Sequence, residues 1–186
     1  MMAKVLVPLA DGFEEIEAMA ILDVLNRAGN DVVAAGLNGL EVEGANTKLK
    51  VKVPTLLKDV NIDEFDLMVL PGGLPGAEYL AKSELVKEYI RRLAQKGKLV
   101  GAICAAPWAL KEAGVLDGKA HTNYPGFEEK TGKEGYIPDK KVVIDSNVVT
   151  SRGPGTAICF ALELVRLLNG EEMYKQLKEG LLADYC

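Results

Sequence analysis

A cysteine stands where an apolar, strand-like run meets a helix-like one, in Leu99-Val100-Gly101-Ala102-Ile103-Cys104-Ala105-Ala106-Pro107. Small residues two positions before it (Ala102) and two after it (Ala106) give the spacing of a nucleophile elbow. Such a turn needs small neighbours because the nucleophile's own backbone is strained. A thiol at a helix N-terminus also meets free N–H groups and the positive end of the helix dipole, which predicts a lowered pKa and a thiolate. The chemistry open to it is attack on an electrophilic carbon, or oxidation of the sulfur. A buried structural cysteine among small packing residues is the alternative.

Other segments could complete such a site. In Leu70-Pro71-Gly72-Gly73-Leu74-Pro75-Gly76, glycines at a strand end let backbone amides approach a ligand. The amides of Gly73 and Ala105 would form an oxyanion hole for a carbonyl under attack by sulfur. No Gly-Lys-Ser/Thr follows, which disfavours a phosphate cradle; an ordinary glycine-rich turn is the other reading. At helical spacing Phe13, Glu17, Ala20, Ile21, Val24 and Ala28 form one stripe, in which Glu17 is the anomaly. Buried there, its carboxyl would have a raised pKa and, protonated, could donate a hydrogen bond to a thiolate or exchange protons with a substrate. At the stripe's edge it would simply reach solvent. Glu14 and Glu15 read as charges that favour the helix N-terminus. The one histidine, His121, is the only imidazole a Cys-His pair could use, although a lone histidine is more often incidental. In Ser151-Arg152-Gly153-Pro154-Gly155-Thr156, Arg152 could bind a carboxylate or phosphate, or be a surface charge at a helix start.

These residues need a scaffold, and the sequence predicts one. Residues 5–9, 31–37, 67–70 and 98–103 read as strands, and 40–44 and 49–53 as weaker ones. Helices are expected over 14–28, from a Ser83 cap to 95, over 105–113, from Gly153-Pro154 to 168, and over 171–182. Residues 141–144 and 148–151 suggest a hairpin. Alternating strands and helices imply an α/β fold with a mostly parallel sheet covered on both faces. In such sheets ligands bind beyond the carboxyl ends of the strands, where Ala10–Gly12, Pro71–Gly76, Cys104–Pro107 and Ser151–Gly155 all fall.

A chain of 186 residues fits a single domain over 1–186. A net charge of −5 argues against a nucleic-acid partner. No apolar run approaches the ~20 residues of a membrane span. Three cysteines, Cys104, Cys159 and Cys186, have no metal-ligand spacing; the expectation is no disulfide, a core Cys159, a mobile terminal Cys186 and a reducing cytoplasm. No metal or organic cofactor is implied.

The motifs together resemble the ThiJ/PfpI superfamily, in the branch of the Parkinson's-disease-associated protein deglycase and its bacterial relatives. The matching segments are Ala10–Glu17, Leu70–Gly73, Ala102–Pro107, Tyr124–Gly126 and Thr150–Thr156, in that order and over nearly the whole chain. The resemblance implies a flavodoxin-like three-layer α/β/α sandwich and a homodimer. It makes Cys104 the oxidation-sensitive nucleophile and Glu17 the glutamate that hydrogen-bonds its sulfur. Gly72, Gly73 and Ala105 would supply amides near that sulfur, with Tyr124, Arg152 and Pro154 binding substrate or supporting the site. Tyr124 stands where eukaryotic members carry a histidine, and His121 does not align with it. Protease-like and amidotransferase-like members often carry a histidine directly after the cysteine; here that residue is Ala105, which disfavours both activities. The implied activity is glyoxalase- or deglycase-type stress protection, on methylglyoxal, glyoxal or early glycation adducts. The alternative is a redox-sensing, chaperone-like protein that works through oxidation of Cys104 with little turnover.

Overall fold

Two-residue alternation sends Val5, Val7 and Leu9 to one face of a sheet and Leu6 to the other, and divides Leu67 and Val69 from Met68 and Leu70 in the same way. Both faces are apolar, so both must be covered. In the computed structural model, which describes residues 2–186, they are. The strands are β1 (Lys4–Leu9), β2 (Asp31–Gly36), β3 (Glu41–Glu43), β4 (Lys50–Lys52), β5 (Thr55–Leu56), β6 (Leu67–Leu70), β7 (Leu99–Ile103), β8 (Val142–Asp145) and β9 (Val148–Ser151). The helices are α1 (Glu15–Arg27), α2 (Gly76–Lys82), α3 (Glu84–Gln95), α4 (Pro107–Glu112), α5 (Glu128–Thr131), α6 (Ala157–Asn169) and α7 (Glu171–Gly180).

The described residues form a seven-stranded sheet in the order β5-β2-β1-β6-β7-β9-β8 and a separate β3-β4 hairpin. Pairing in the large sheet is parallel except at the β8 edge, which runs antiparallel to β9. One face packs on α1 and α6 through Ile21, Val24, Phe160 and Leu164; the other packs on α2, α3 and α4 through Leu80, Ile90, Leu93 and Leu110. This is the three-layer sandwich expected. The chain leaves β1 toward β2 on one side and takes up β6 on the other. The strand order therefore reverses at β1/β6, and a crevice opens at their carboxyl ends.

Caps fix the ends that matter. Glu14 caps α1 by accepting from the Glu17 N–H at 2.8 Å, and Ser83 caps α3 by accepting from Val86 at 3.3 Å. The expected helix at 105–113 is shorter, and the expected helix from Pro154 opens with a 3-10 turn over Pro154–Thr156. Helix α2, strand β5 and helix α5 had no sequence signal strong enough to predict them.

One expectation is overturned. Cys159 and Cys186 are joined in a disulfide, with Cα atoms 5.1 Å apart; only Cys104 is free. Sequence spacing hides this because α7 folds the end of the chain back along α6. Cys159 is in the core as expected, but Cys186 is anchored. Lys141 Nζ also donates to the Tyr185 carbonyl oxygen. Among the described residues no helix is long and apolar enough to cross a membrane, and no group of His, Cys, Asp and Glu is arranged to hold a metal ion.

Candidate functional site

Strand β7 carries buried Ala102 and Ile103 to the crevice and stops at Cys104, whose φ is +65°. A non-glycine residue in that left-handed region is strained, as an elbow requires. The turn is held from both sides: the Cys104 N–H donates to Ser151 O at 3.0 Å, and Cys104 O accepts from Tyr124 N at 2.9 Å. The thiol is 9% exposed, at the bottom of a cleft of about 300 Å³. Glu14, Ala45, Asn46, Gly73, Leu74, Ala105, Tyr124 and Phe127 line the rest of that cleft.

Glu17 lies behind the sulfur and is fully buried, so the solvent-reaching reading of this residue is wrong. Its Oε2 accepts from the Gly72 N–H at 2.7 Å, while Oε1 is buried without a protein hydrogen-bond partner. Burial, first, and the nearby Glu14 raise the Glu17 carboxyl to about 7; the Gly72 amide and the Cys104 thiol oppose the rise. Gly72 fits only without a side chain. A Cβ there would stand 2.6 Å from Cys104 Cβ and 2.7 Å from Glu17 Oε2. Its amide is committed to Glu17, which leaves the amides of Gly73 and Ala105 to act on the sulfur. Gly73 has φ +90°, and a Cβ there would meet backbone atoms of Gly12 and Glu14 at 2.5 Å or less.

The electrostatic expectation for the thiol has the wrong sign. Burial, then the Glu17 carboxylate, push Cys104 up, and the amides of Ala105 and Gly73 only partly offset this. The helix supplies little because α4 begins at Pro107 and spans six residues. Sulfur and carboxyl compete for one proton. Once Glu17 is ionised the proton stays on the thiol, and the carboxylate that would accept it titrates near neutrality. Moving that proton to Glu17 makes both a nucleophile and an acid without changing the charge of the pair.

Tyr124 reaches the cleft wall, half exposed at 48%. Arg152 and Pro154 do not. They line a neighbouring cavity of about 250 Å³ on the far side of Tyr124, where Arg152 Nε is buried without a partner. His121 is buried outside the cleft, its Nδ1 3.1 Å from Lys119 O and its ring tilted against Tyr136. The wall residues missed in the sequence are Ala45 and Asn46, from the β3-β4 loop, Phe127, and Glu14, which was read only as a helix-terminus charge. Only one signal pointed to that loop. Glu15, read as a helix-terminus charge, accepts from Asn46 N at 2.9 Å and from Thr47 N at 2.7 Å, and so ties the hairpin to α1.

A sequence model described as the DJ-1/PfpI family matches residues 3–167. Protein dj-1beta of Drosophila melanogaster is 43% identical over 186 residues, which are 100% of each chain. A Caenorhabditis elegans protein named glutathione-independent glyoxalase DJR-1.2 is 37% identical over 96% of this chain and 95% of its own. The crystal structure of the Drosophila DJ-1beta superposes with a TM-score of 0.93, covering 98% of both chains.

Proposed function

The chain belongs to the DJ-1/PfpI family, and from that premise we propose that it is a cysteine-dependent, cofactor-independent glyoxalase- or deglycase-type enzyme. Its substrates are methylglyoxal, glyoxal or early glycation adducts. The observation that carries this is the buried Glu17 carboxyl, raised to about 7, beside the one free thiol and two amides.

As the aldehyde carbon of methylglyoxal approaches, Glu17 takes the Cys104 proton, a C–S bond forms as the C=O π bond breaks onto oxygen, and Glu17 returns the proton to that oxygen, giving a hemithioacetal and a carboxylate free to act again. The amides of Gly73 and Ala105 stabilise the oxygen that gains charge. Glu17 then moves a proton from the former aldehyde carbon to the adjacent carbonyl carbon, through an enediol, which leaves a lactoyl thioester on sulfur. Water cleaves the thioester, releasing lactate and restoring the thiol. No redox partner enters, because the aldehyde carbon is oxidised as its neighbour is reduced.

Incubation with methylglyoxal should yield lactate, and Cys104→Ser and Glu17→Gln should each abolish it; lactate production that survives either change refutes the mechanism. The rival reading, redox sensing by a resting thiolate, is disfavoured by the upward push on the thiol. The proposal includes a homodimer. Ile16 and Met19 on α1 and Leu49 on the tied hairpin are 60%, 40% and 60% exposed, an apolar face that a second copy would cover. A cytoplasmic location also belongs to it, although the Cys159–Cys186 disulfide removes the argument for it from unpaired cysteines.

A further inference from the structure

We infer that Glu14 makes the Cys104 cleft a charge filter, so that the substrate is an uncharged small carbonyl compound and not a keto acid, an aldehyde acid or a glycated nucleotide. This rests on reading Cys104 as the nucleophile, and it narrows the substrate class. Glu14 is only 8% exposed, yet it forms part of the cleft wall that opens onto Cys104. Its Oε2 accepts from the Glu17 N–H at 2.8 Å, and its Oε1 from the Asn46 side-chain amide at 3.3 Å. Both donors are neutral, and the α1 N-terminus that Glu14 caps offsets the carboxylate's charge only in part.

Among the described residues, none of the side chains on the cleft wall is cationic. Arg152 lines the next cavity, beyond Tyr124. Glu17, behind the sulfur, adds a second acidic group. Much of the remaining wall is apolar, from Ala45, Leu74, Ala105 and Phe127, and screens poorly. An anion entering the cleft therefore meets repulsion that an uncharged molecule of the same shape does not. At the effective permittivity of a protein surface, one unit charge about 8 Å from another changes a rate constant roughly thirtyfold.

The test needs no turnover. Cys104 is alkylated with iodoacetamide, which is uncharged, and with iodoacetate, an anion of similar size. Modification is assigned to Cys104 by peptide mass spectrometry, and each rate is divided by that of free cysteine under the same conditions. The preference of the wild type for iodoacetamide should exceed that of free cysteine about tenfold or more and narrow at high salt. Glu14→Gln, which keeps an oxygen to cap α1, should remove most of it. Leu74→Lys, at a wall position 52% exposed and so safe for folding, should reduce it as well. A wild-type preference equal to that of free cysteine, one that survives in both variants, or no alkylation of Cys104 by either reagent overturns the filter. A preference without lactate formation would leave the filter standing and overturn the enzymatic reading alone.

Discussion

Replacing Glu17 by glutamine should stabilise the protein at alkaline pH while it abolishes activity. Glu17 is fully buried, and burial raises its carboxyl from 4.5 to about 7. Below pH 4.5 both the folded and the unfolded chain hold the proton, and Glu17 costs the fold nothing. Between pH 4.5 and about 7 the unfolded chain has released it and the folded chain has not, so stability falls as pH rises, by about 1.4 kcal/mol per pH unit. Above about 7 the loss is complete, at about 3 kcal/mol. Glutamine does not titrate, and its oxygen still accepts the Gly72 N–H, but its NH₂ group is buried without a partner, at a cost of about 1 kcal/mol. The variant should therefore be about 1 kcal/mol less stable than wild type at pH 4 and about 2 kcal/mol more stable at pH 8. For a chain this size the latter is a rise in Tm of roughly 4–8 °C. The two curves should cross between about pH 5 and 6. Calorimetric melts of both proteins from pH 4 to 8 decide it. Parallel curves, with no crossing, would refute the account of Glu17 as a buried acid that titrates near neutrality.

Gly72→Ala places a methyl group 2.6 Å from Cys104 Cβ and 2.7 Å from Glu17 Oε2, and should cost about 2 kcal/mol and more than tenfold in lactate formation; thermal melts and the lactate assay check both. The Cys159–Cys186 bridge closes a sequence separation of 27 residues, worth about 3 kcal/mol. A reducing agent should thus lower the Tm of the wild type and leave that of Cys186→Ser unmoved. Met19→Lys, on the exposed side of α1, should halve the mass seen by sedimentation if that face joins two copies; an unchanged dimer mass places the interface elsewhere.

The elements that position the site were legible because short-range chemistry writes them. Residues 67–70 match β6 at both ends, and Ser83 caps α3 as its hydroxyl suggests. The elbow was legible too, because only small residues at 102 and 106 leave room for a turn with φ +65° at Cys104. The anomalous place of Glu17 in an apolar stripe correctly signalled a buried carboxyl. Three-dimensional proximity was not legible. Asn46 reaches the cleft through a hairpin whose attachment depends on Glu15, and Cys186 meets Cys159 only because α7 turns back. The sign of the thiol's shift was missed for the same reason. A helix N-terminus can be read from sequence, whereas burial and a neighbouring carboxylate, which outweigh it, are properties of the packed core.

The site gathers features that a fold selected for stability alone would discard. Cys104 holds a strained backbone, Glu17 is a buried acid with one oxygen unpartnered, and Gly72 and Gly73 leave no space for a side chain. The scaffold tolerates them because each rests on a rigid neighbour. The elbow hangs from Ser151 and Tyr124, Glu17 is locked by the Gly72 amide, and the layers on both faces of the sheet are continuous apolar cores. A structural cysteine would require none of this. It would pack with ordinary backbone angles beside an apolar residue, and replacing Glu17 would leave its reactivity unchanged. The strain at 104 and the acid at 17 therefore point to the same conclusion from independent physics, the first from backbone sterics and the second from desolvation.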